Sequence, residues 1–278
     1  MLTGPFLDRN WMGENKDYES SNIVMLGLPF DGTVSYRPGS RFAPEQIRLA
    51  SWGLEEYSPY FNKHLEDCNF HDAGDLEFPL GNTVKSLDVI KKNVEDIYRD
   101  GKRVFGIGGE HLVTLPEIQA VSQFVDNLAI VHFDAHTDLR EEYLGEALSH
   151  SAVIRHSADI VGFENLKQIG IRSGMKEEFE LMKKHNTLVH EYSELDCLKD
   201  KNIFVTVDLD VLDTSIMAGT GTPEVGGLNF NELVGWLKYL SKFNIVGADV
   251  VELAPDYDAS GASTAVATKV IRELLMAM

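Results

Sequence analysis

Short apolar segments alternate along this chain with longer segments of helical period, and this alternation constrains the fold more than any other feature. Most of the short segments are continuously apolar, which is typical of strands buried on both faces of a parallel sheet. The predicted strands are Asn22–Leu28, Arg103–Ile107, Leu128–Phe133, Leu166–Ile171, Thr187–His190, Ile203–Asp208 and Ile245–Val250, with a shorter one near Asp67–Ala73. The predicted helices are Pro44–Ala50, Val84–Arg99, Leu112–Phe124, Met175–Lys184, Phe230–Ser241 and Ser263–Met276. Start signals support two of them, Pro44 in a first turn and Asn229 before Phe230. The sequence therefore predicts an α/β fold of three layers, with a central, mostly parallel sheet and helices on both faces.

Nothing in the sequence marks a domain boundary. The 278 residues are enough for one large or two small domains, but no Pro/Gly/Ser-rich linker, low-complexity tract or internal repeat divides them. Hydrophobic residues make up 44% of the chain, so a sizeable single core is possible. We therefore expect one domain over residues 1–278.

The formal net charge of −19 bears on the class of partner. A protein that binds nucleic acid needs a basic patch to displace counterions, so we expect no nucleic-acid partner. A negative field is compatible with a cationic substrate, although solubility alone also explains such a charge.

Targeting signals and cysteines point to the cytoplasm. No apolar run approaches the roughly 20 residues that span a bilayer, and the polar segment Met1–Ser21 does not resemble a signal peptide. Cys68 and Cys197 are far apart in sequence and lack a zinc-like spacing, which favours reduced thiols. We expect a cytoplasmic protein with no membrane partner.

Polar residues cluster where four predicted strands end. The clusters are Gly108-Gly109-Glu110-His111, Asp134-Ala135-His136-Thr137-Asp138, Asp208-Leu209-Asp210 and, after Asp249, Glu252. The carboxyl ends of parallel strands lie on one rim of a sheet, where ligands bind in open α/β folds. We therefore expect these four clusters to meet at one site.

The Asp-x-His-x-Asp spacing of Asp134, His136 and Asp138 is the most informative of these clusters. In extended backbone, residues two apart point to the same side, so all three can face one centre, and Asp208 and Asp210 have the same relation. Four carboxylates in a small volume would repel one another unless cations balance their charge. Two divalent ions would do so, and a carboxylate-rich set with two histidines favours Mn²⁺. A lone Asp-x-Asp or Gly-Gly-x-His is common in loops; the combination is what indicates metal.

At these residues the sequence resembles the ureohydrolase family, which includes arginase, agmatinase and related amidinohydrolases. The resemblance covers nearly the whole chain in segments that occur in the family's order. They are Gly27-Leu28-Pro29-Phe30-Asp31, Arg37-Pro38-Gly39, Gly109-Glu110-His111, Asp134–Asp138, Asp208–Asp213, Gly219–Glu224 and Val250–Glu252. It implies an arginase-like fold and two Mn²⁺ per chain.

The resemblance also implies a role for each site residue. His111, Asp134, Asp138 and Asp208 would hold one ion, and His136, Asp134, Asp208 and Asp210 the other. A hydroxide shared by the ions would attack the guanidinium carbon, with Asp138 accepting a hydrogen bond from it. Glu252 would hold the guanidinium, and His150 would move protons near the substrate. The loop Gly219–Pro223 would shape the pocket. His132 is expected to be a supporting or core histidine, and His64, His71, His156, His185 and His190 surface or packing residues.

The substrate is expected to be a small cationic guanidino compound. The segment Leu139–Leu148 carries Glu141, Glu142 and Glu146 where arginase-like relatives use Asn and Ser to bind an amino-acid head. Glutamates there would favour an amine over a carboxylate, which indicates agmatine. The segment Thr214–Ala218 lacks a proline that relatives often carry.

Other functions remain open from sequence alone. Guanidinobutyrate, guanidinopropionate or arginine could be the substrate, as could a formimino or acetyl-amine compound of a different two-metal hydrolase. A non-catalytic relative would be expected to lack a ligand, and none of the six is missing. By resemblance, we expect a homo-oligomer, either a trimer or a hexamer.

Overall fold

A parallel sheet forms the centre of the computed structural model, which describes residues 10–13 and 16–278. The strands, numbered along the described chain, are β1 Ile23–Leu28, β2 Tyr57–Ser58, β3 Lys63–His64, β4 Phe70–Asp75, β5 Arg103–Gly108, β6 Leu128–Phe133, β7 Leu166–Ile169, β8 Leu188–Val189, β9 Asn202–Asp208 and β10 Asn244–Val251. Eight of them form one sheet in the order β4-β1-β5-β10-β9-β6-β7-β8, and each neighbouring pair is parallel. The predicted parallel sheet is confirmed.

Helices cover both faces of this sheet. They are α1 Ala43–Ser51, α2 Thr83–Arg99, α3 Thr114–Val121, α4 Val153–Val161, α5 Lys176–His185, α6 Phe230–Leu240 and α7 Ala262–Ala277. Apolar residues of α2, α3, α4 and α5 belong to one core cluster, and those of α1, α6 and α7 belong to the other. The result is the expected three-layer α/β/α arrangement around one sheet.

Alternate side chains of each central strand serve the two cores. In β9, Ile203, Val205 and Val207 face the α1/α6/α7 side, whereas Phe204 faces the α2–α5 side. Successive side chains point to opposite faces of a strand, so a strand covered on both sides must be apolar throughout. This explains the continuous apolar runs of the sequence.

The predicted helix starts are also present. Pro44 lies in the first turn of α1, where its missing N–H costs nothing. Asn229 caps α6 by accepting a hydrogen bond from the backbone N–H of Glu232, whose side chain accepts one from Asn229 in return.

Some elements differ from the sequence prediction. The segment predicted as the helix Leu112–Phe124 begins as a 3₁₀ turn at His111–Val113 and becomes α3 only at Thr114. Helix α4 was not predicted, because only two of its four buried positions, Val153 and Ile154, carry large apolar side chains. The hairpin of β2 and β3 has two residues per strand, too few to show a period.

Within the described residues, none of the helices has both the length and the apolar composition to cross a membrane. Cys68 is buried, Cys197 is exposed, and neither forms a disulfide. Residues 1–9, 14 and 15 lie outside the described residues, and they belong both to the segment Met1–Ser21 and to the expected domain 1–278.

Candidate metal centre and adjoining cavity

The predicted site residues follow four strands that are neighbours at the centre of the sheet. In the order β5-β10-β9-β6, these strands lead into His111, Glu252, Asp208 and Asp134 respectively. The segment that carries His111 is held in place because the loop after β1 packs closely against it at Gly109. A Cβ on Gly109 would lie 1.9 Å from the backbone oxygen of Phe30, so only glycine fits there.

Turns, rather than extended backbone, bring the carboxylates together. Strand β6 ends at Phe133, before Asp134, and Asp138 has a left-handed backbone with φ of 49°. Asp210 lies in a 3₁₀ turn, and its backbone N–H donates a hydrogen bond to Asp208 Oδ1 at 2.8 Å. The expected convergence of these residues is present, but the extended backbone predicted for them does not extend to Asp138 and Asp210.

His111 is the centre of one group of ligand atoms. Its Nδ1 lies 3.1 Å from Asp134 Oδ2, 3.3 Å from Asp138 Oδ2 and 3.4 Å from Asp208 Oδ2. All four side chains are buried. This is the set that the resemblance assigned to the first ion.

His136 is the centre of a second, adjoining group. Its Nδ1 lies 3.0 Å from Asp210 Oδ2 and 3.4 Å from Asp134 Oδ1. Asp134 therefore directs one oxygen to each group. The Oδ1 atom of Asp208 accepts the hydrogen bond from Asp210 N, and its Oδ2 atom faces His111.

The electrostatics of the cluster show a shortage of positive charge. Burial, together with Asp210 and Asp134, raises the pKa of Asp208 well above its ordinary value. Burial and Asp134 raise the pKa of Asp138 to about 6. Burial alone would lower the pKa of His111, but Asp134, Asp138 and Asp208 hold it well above its ordinary value. These carboxylates can all be ionised near neutral pH only beside added cations.

The donor set fits metal ions. His111 Nδ1 is buried and has no hydrogen-bond partner, although three carboxylate oxygens surround it. An imidazole lone pair aimed at carboxylate oxygens is the arrangement that a divalent cation completes. Two groups each bring their ligand atoms within 4.8 Å of one another: the buried His111, His132, Asp134 and Asp138, and Asp134 and Asp210 with the half-buried His136.

His132 supports the cluster from beneath. Its Nε2 lies 2.8 Å from Asp134 Oδ2, and its Nδ1 lies 3.2 Å from Nε2 of Gln168. Gln168 also donates to the Thr137 carbonyl and accepts from the Thr187 hydroxyl. Because the Gln168 amide is a donor, His132 carries its proton on Nε2 and donates it to Asp134. This agrees with the supporting role expected for His132.

A cavity of about 300 Å³ opens beside the cluster. Five of the site residues selected in the sequence analysis line it, namely His136, Asp138, His150, Asp208 and Glu252. Glu252 is nearly buried and accepts a hydrogen bond from the His111 backbone N–H at 2.8 Å. Burial and the nearby Glu110 raise its pKa to about 8.

His150 also lines the cavity. Its Nε2 is buried and has no hydrogen-bond partner, and burial lowers the pKa of the imidazole to about 4. Its backbone N–H donates to the Thr33 hydroxyl, and that hydroxyl donates to Glu110. Thr33 and Glu110 were not predicted to have a role; Glu110 lies within the selected Gly-Gly-Glu-His cluster, which was the available signal.

The expected role of the acidic loop in substrate binding is not supported. Glu141 pairs with Arg155 at 3.0 Å, Glu142 and Glu146 are exposed, and none of the three lines the cavity. Their residue type suggested the role, but the loop directs them outward. Instead, Arg140, Tyr143 and Glu178 line this side of the cavity.

The loop after β9 also contributes to the wall. Thr222 lines the cavity and lies 3.4 Å from Asp210 Oδ2, in agreement with the predicted position of Gly219–Pro223. The histidines expected to be surface or packing residues are His64, His71, His156, His185 and His190; all five are exposed or half-buried and lie outside the cavity.

This fold and site define a class, an α/β protein with a two-centre histidine–aspartate cluster at the rim of a parallel sheet. The chain belongs to the arginase family, whose family model matches residues 21–277. It is 46% identical over 275 residues to the agmatinase of Bacillus subtilis (strain 168), covering 96% of this chain and 95% of that protein. It is 34% identical to the N(1)-aminopropylagmatine ureohydrolase of Thermococcus kodakarensis, covering 85% and 84%. The crystal structure of an agmatine ureohydrolase from Thermoplasma volcanium superposes with a TM-score of 0.86 at 29% identity, covering 98% and 94% of the two chains.

Proposed function

We propose that this protein is an agmatinase, which hydrolyses the guanidinium group of agmatine to putrescine and urea. The observation that carries the proposal is the convergence of two histidine–aspartate groups on a shared Asp134, beside a cavity lined by Glu252. The similarity to agmatinases over nearly the whole chain supports this choice of substrate.

Two Mn²⁺ ions per chain are the proposed cofactors. His111, Asp134, Asp138 and Asp208 would hold one, and His136, Asp134, Asp208 and Asp210 the other. Four of the six proposed ligands are carboxylates, which favours a hard ion such as Mn²⁺. When bound, two such ions supply a hydroxide nucleophile at neutral pH.

The residues of the chain would then bind and orient the substrate. Glu252 Oε1 accepts from His111 N, and its carboxylate faces the cavity, so it can accept paired hydrogen bonds from a guanidinium. Asp138 lines the same cavity and would be available to orient the attacking group. Neutral His150, with its free Nε2, can accept a proton and pass it towards the leaving amine.

The charge of the cavity wall is compatible with a substrate that carries two positive charges. With Asp138 and Asp208 balanced by metal, Glu178 and Glu252 remain against the single cation Arg140 among the lining residues, and a guanidinium bound beside Glu252 favours its ionised form. Arg140 is itself 4.0 Å from Glu178, which offsets its charge. Agmatine carries two positive charges and no carboxylate, so it suits this wall better than arginine does.

The deciding experiment compares substrates with Mn²⁺-loaded protein. Urea release should be at least about 100-fold more efficient, in kcat/KM, for agmatine than for arginine or guanidinobutyrate, which corresponds to about 2.7 kcal/mol. N(1)-aminopropylagmatine should also be compared, because one relative is named as the ureohydrolase of this compound. A preference for arginine would identify an arginase instead.

Metal content and assembly complete the proposal. Metal analysis should find about two Mn²⁺ per chain, and a single tightly held zinc would contradict the mechanism. We also propose a homo-oligomer, a trimer or a hexamer, in the cytoplasm. Sedimentation of the purified protein distinguishes these states from a monomer.

A further inference from the structure

Two buried carboxyl groups beneath the cluster take no part in the site described above. Glu117 in α3 and Asp249 in β10 are both fully buried, and their side chains lie within hydrogen-bonding reach of each other. Gly106 of β5 provides the space, because a Cβ there would lie 2.8 Å from Glu117 Oε1 and 2.9 Å from Asp249 Cβ. Two carboxyl groups in such contact cannot both be ionised. The pair therefore holds at least one proton.

The surrounding donors indicate which group holds it. The Thr114 hydroxyl donates to Asp249 Oδ2 at 2.7 Å. Among the described residues, no donor reaches either oxygen of Glu117 or the Oδ1 atom of Asp249. Burial, and then the charge of Asp249, raises the pKa of Glu117 well above its ordinary value. A proton on Glu117 satisfies its contact with Asp249 and leaves Asp249 as the anion.

Hydroxyl groups join Asp249 to the candidate metal centre. Thr206 Oγ1 lies 3.0 Å from His111 Nε2 and 3.4 Å from Thr114 Oγ1, and the Thr114 hydroxyl donates to Asp249 Oδ2. Because the hydroxyls direct their protons towards the anionic Asp249, Thr206 Oγ1 is an acceptor for His111 Nε2–H. His111 then keeps its Nδ1 lone pair for the cluster.

We infer that Glu117 is a neutral positioning residue that maintains Asp249 as an anion. Asp249 in turn acts through Thr114 and Thr206, and it holds His111 in the tautomer and orientation that a metal ion requires. The inference rests on the proposed metal-dependent function. A hydrogen-bond partner of a ligating histidine fixes its ring and raises its basicity, so its loss weakens metal binding.

The test is a titration of metal-free protein with Mn²⁺, comparing two isosteric variants. Glu117→Gln keeps a neutral donor towards Asp249, so its Mn²⁺ affinity should stay within about threefold of the wild type, whereas Asp249→Asn removes the charge and should lose about 10- to 100-fold. Equal losses in the two variants, or a loss only in Glu117→Gln, would overturn the inference. So would an unchanged affinity in Asp249→Asn.

A second pair of variants guards against a simple folding defect. Thr206→Val breaks the contact with His111 and should weaken Mn²⁺ binding as Asp249→Asn does. The matched control is Thr268→Val, which removes a buried hydroxyl that donates to the Thr264 carbonyl within α7. The control should keep wild-type affinity; equal losses in both valine variants would contradict the inference.

Infrared spectroscopy tests the proton directly. The difference spectrum of wild type minus Glu117→Gln should contain the band of one buried protonated carboxyl group, and Asp249→Asn should keep that same band; the difference cancels the bands of other protonated carboxyl groups, such as those of Asp208 and Glu252. A band that persists in Glu117→Gln and disappears in Asp249→Asn would place the proton on Asp249 and reject the assignment. If the wild type binds two ions and releases urea, the proposed function stands whatever these variants show, and the two conclusions are judged separately.

Discussion

Glu252 accepts a hydrogen bond from the backbone N–H of His111 at 2.8 Å, which ties the cavity carboxylate to the turn that carries a proposed metal ligand. The backbone of Glu252 has φ of 67°, a left-handed conformation that is uncommon for residues other than glycine. The two residues follow β10 and β5, which are neighbours in the sheet. Their spacing is therefore fixed by the sheet and not by a flexible loop.

Replacing Glu252 should separate substrate binding from metal binding. In Glu252→Gln the amide oxygen can still accept from His111 N, so the Mn²⁺ content should not change. The neutral side chain loses its charge-assisted bonds to the guanidinium, and kcat/KM for agmatine should fall about 100-fold or more, equivalent to about 2.7 kcal/mol or more. Steady-state kinetics and metal analysis of one preparation check both results. Glu177→Gln, an exposed change in α5, is the control; full activity of Glu252→Gln would contradict the assigned role.

The two halves of the metal cluster should be separable by mutation. Asp210→Asn alters only the His136 group, so the protein should retain about one Mn²⁺ per chain after dialysis; Asp134→Asn alters both groups and should retain neither. Activity should be lost in both variants. Atomic emission measures the number of Mn²⁺ ions per chain. Retention of two ions in Asp134→Asn would exclude Asp134 as a shared ligand.

The acidic loop should be dispensable for substrate preference. Because Glu141, Glu142 and Glu146 point away from the cavity, replacing all three with Gln should change the KM for agmatine by no more than about twofold at physiological ionic strength, where distant surface charges are screened. Glu178→Gln, which alters a cavity residue, is the contrasting variant and should raise the KM. A large rise in the triple variant would restore the role that the sequence suggested.

The sequence was sufficient to predict the sheet and the meeting of the clusters. The sheet could be predicted because the period of apolar residues is a local property of the sequence. The meeting of the clusters could be predicted because the carboxyl ends of parallel strands lie on one rim of the sheet, independently of the conformation of the loops. That is why His111, Asp134 and Asp208 could be placed together before their backbone geometry was known.

Directions of side chains outside regular strands could not be predicted in the same way. Asp138 reaches the cluster through a left-handed turn, and Glu141 turns outward to Arg155; both depend on contacts distant in sequence. Glu117 and Thr206 were missed because each lies inside a largely apolar element and outside the polar clusters that follow the strands. Only the packing of α3 on the sheet brings Glu117 to Asp249.

A buried ion pair away from the site should make stability depend on acid pH. Arg48 of α1 binds Asp72 of β4 through its Nε and Nη2 atoms, each at 2.8 Å. Burial alone would raise the pKa of Asp72, but Arg48 outweighs burial and lowers it below the ordinary 3.8. A depressed native pKa stabilises the fold above the unfolded-state pKa, and that contribution is lost as the pH falls through the native value.

Asp72→Asn should therefore lower the free energy of unfolding by about 3 kcal/mol at pH 7, the low end for a broken buried ion pair, because Arg48 loses the charge of Asp72 but keeps its pairing with the exposed Asp75. The difference in free energy of unfolding between the variant and the wild type should stay constant from pH 7 to about 5 and shrink below about 4. Denaturant unfolding at a series of pH values measures it, with the exposed α2 change Asp88→Asn as control. A difference that grows as the pH falls would show that Asp72 is protonated in the native protein, contrary to its pairing with Arg48.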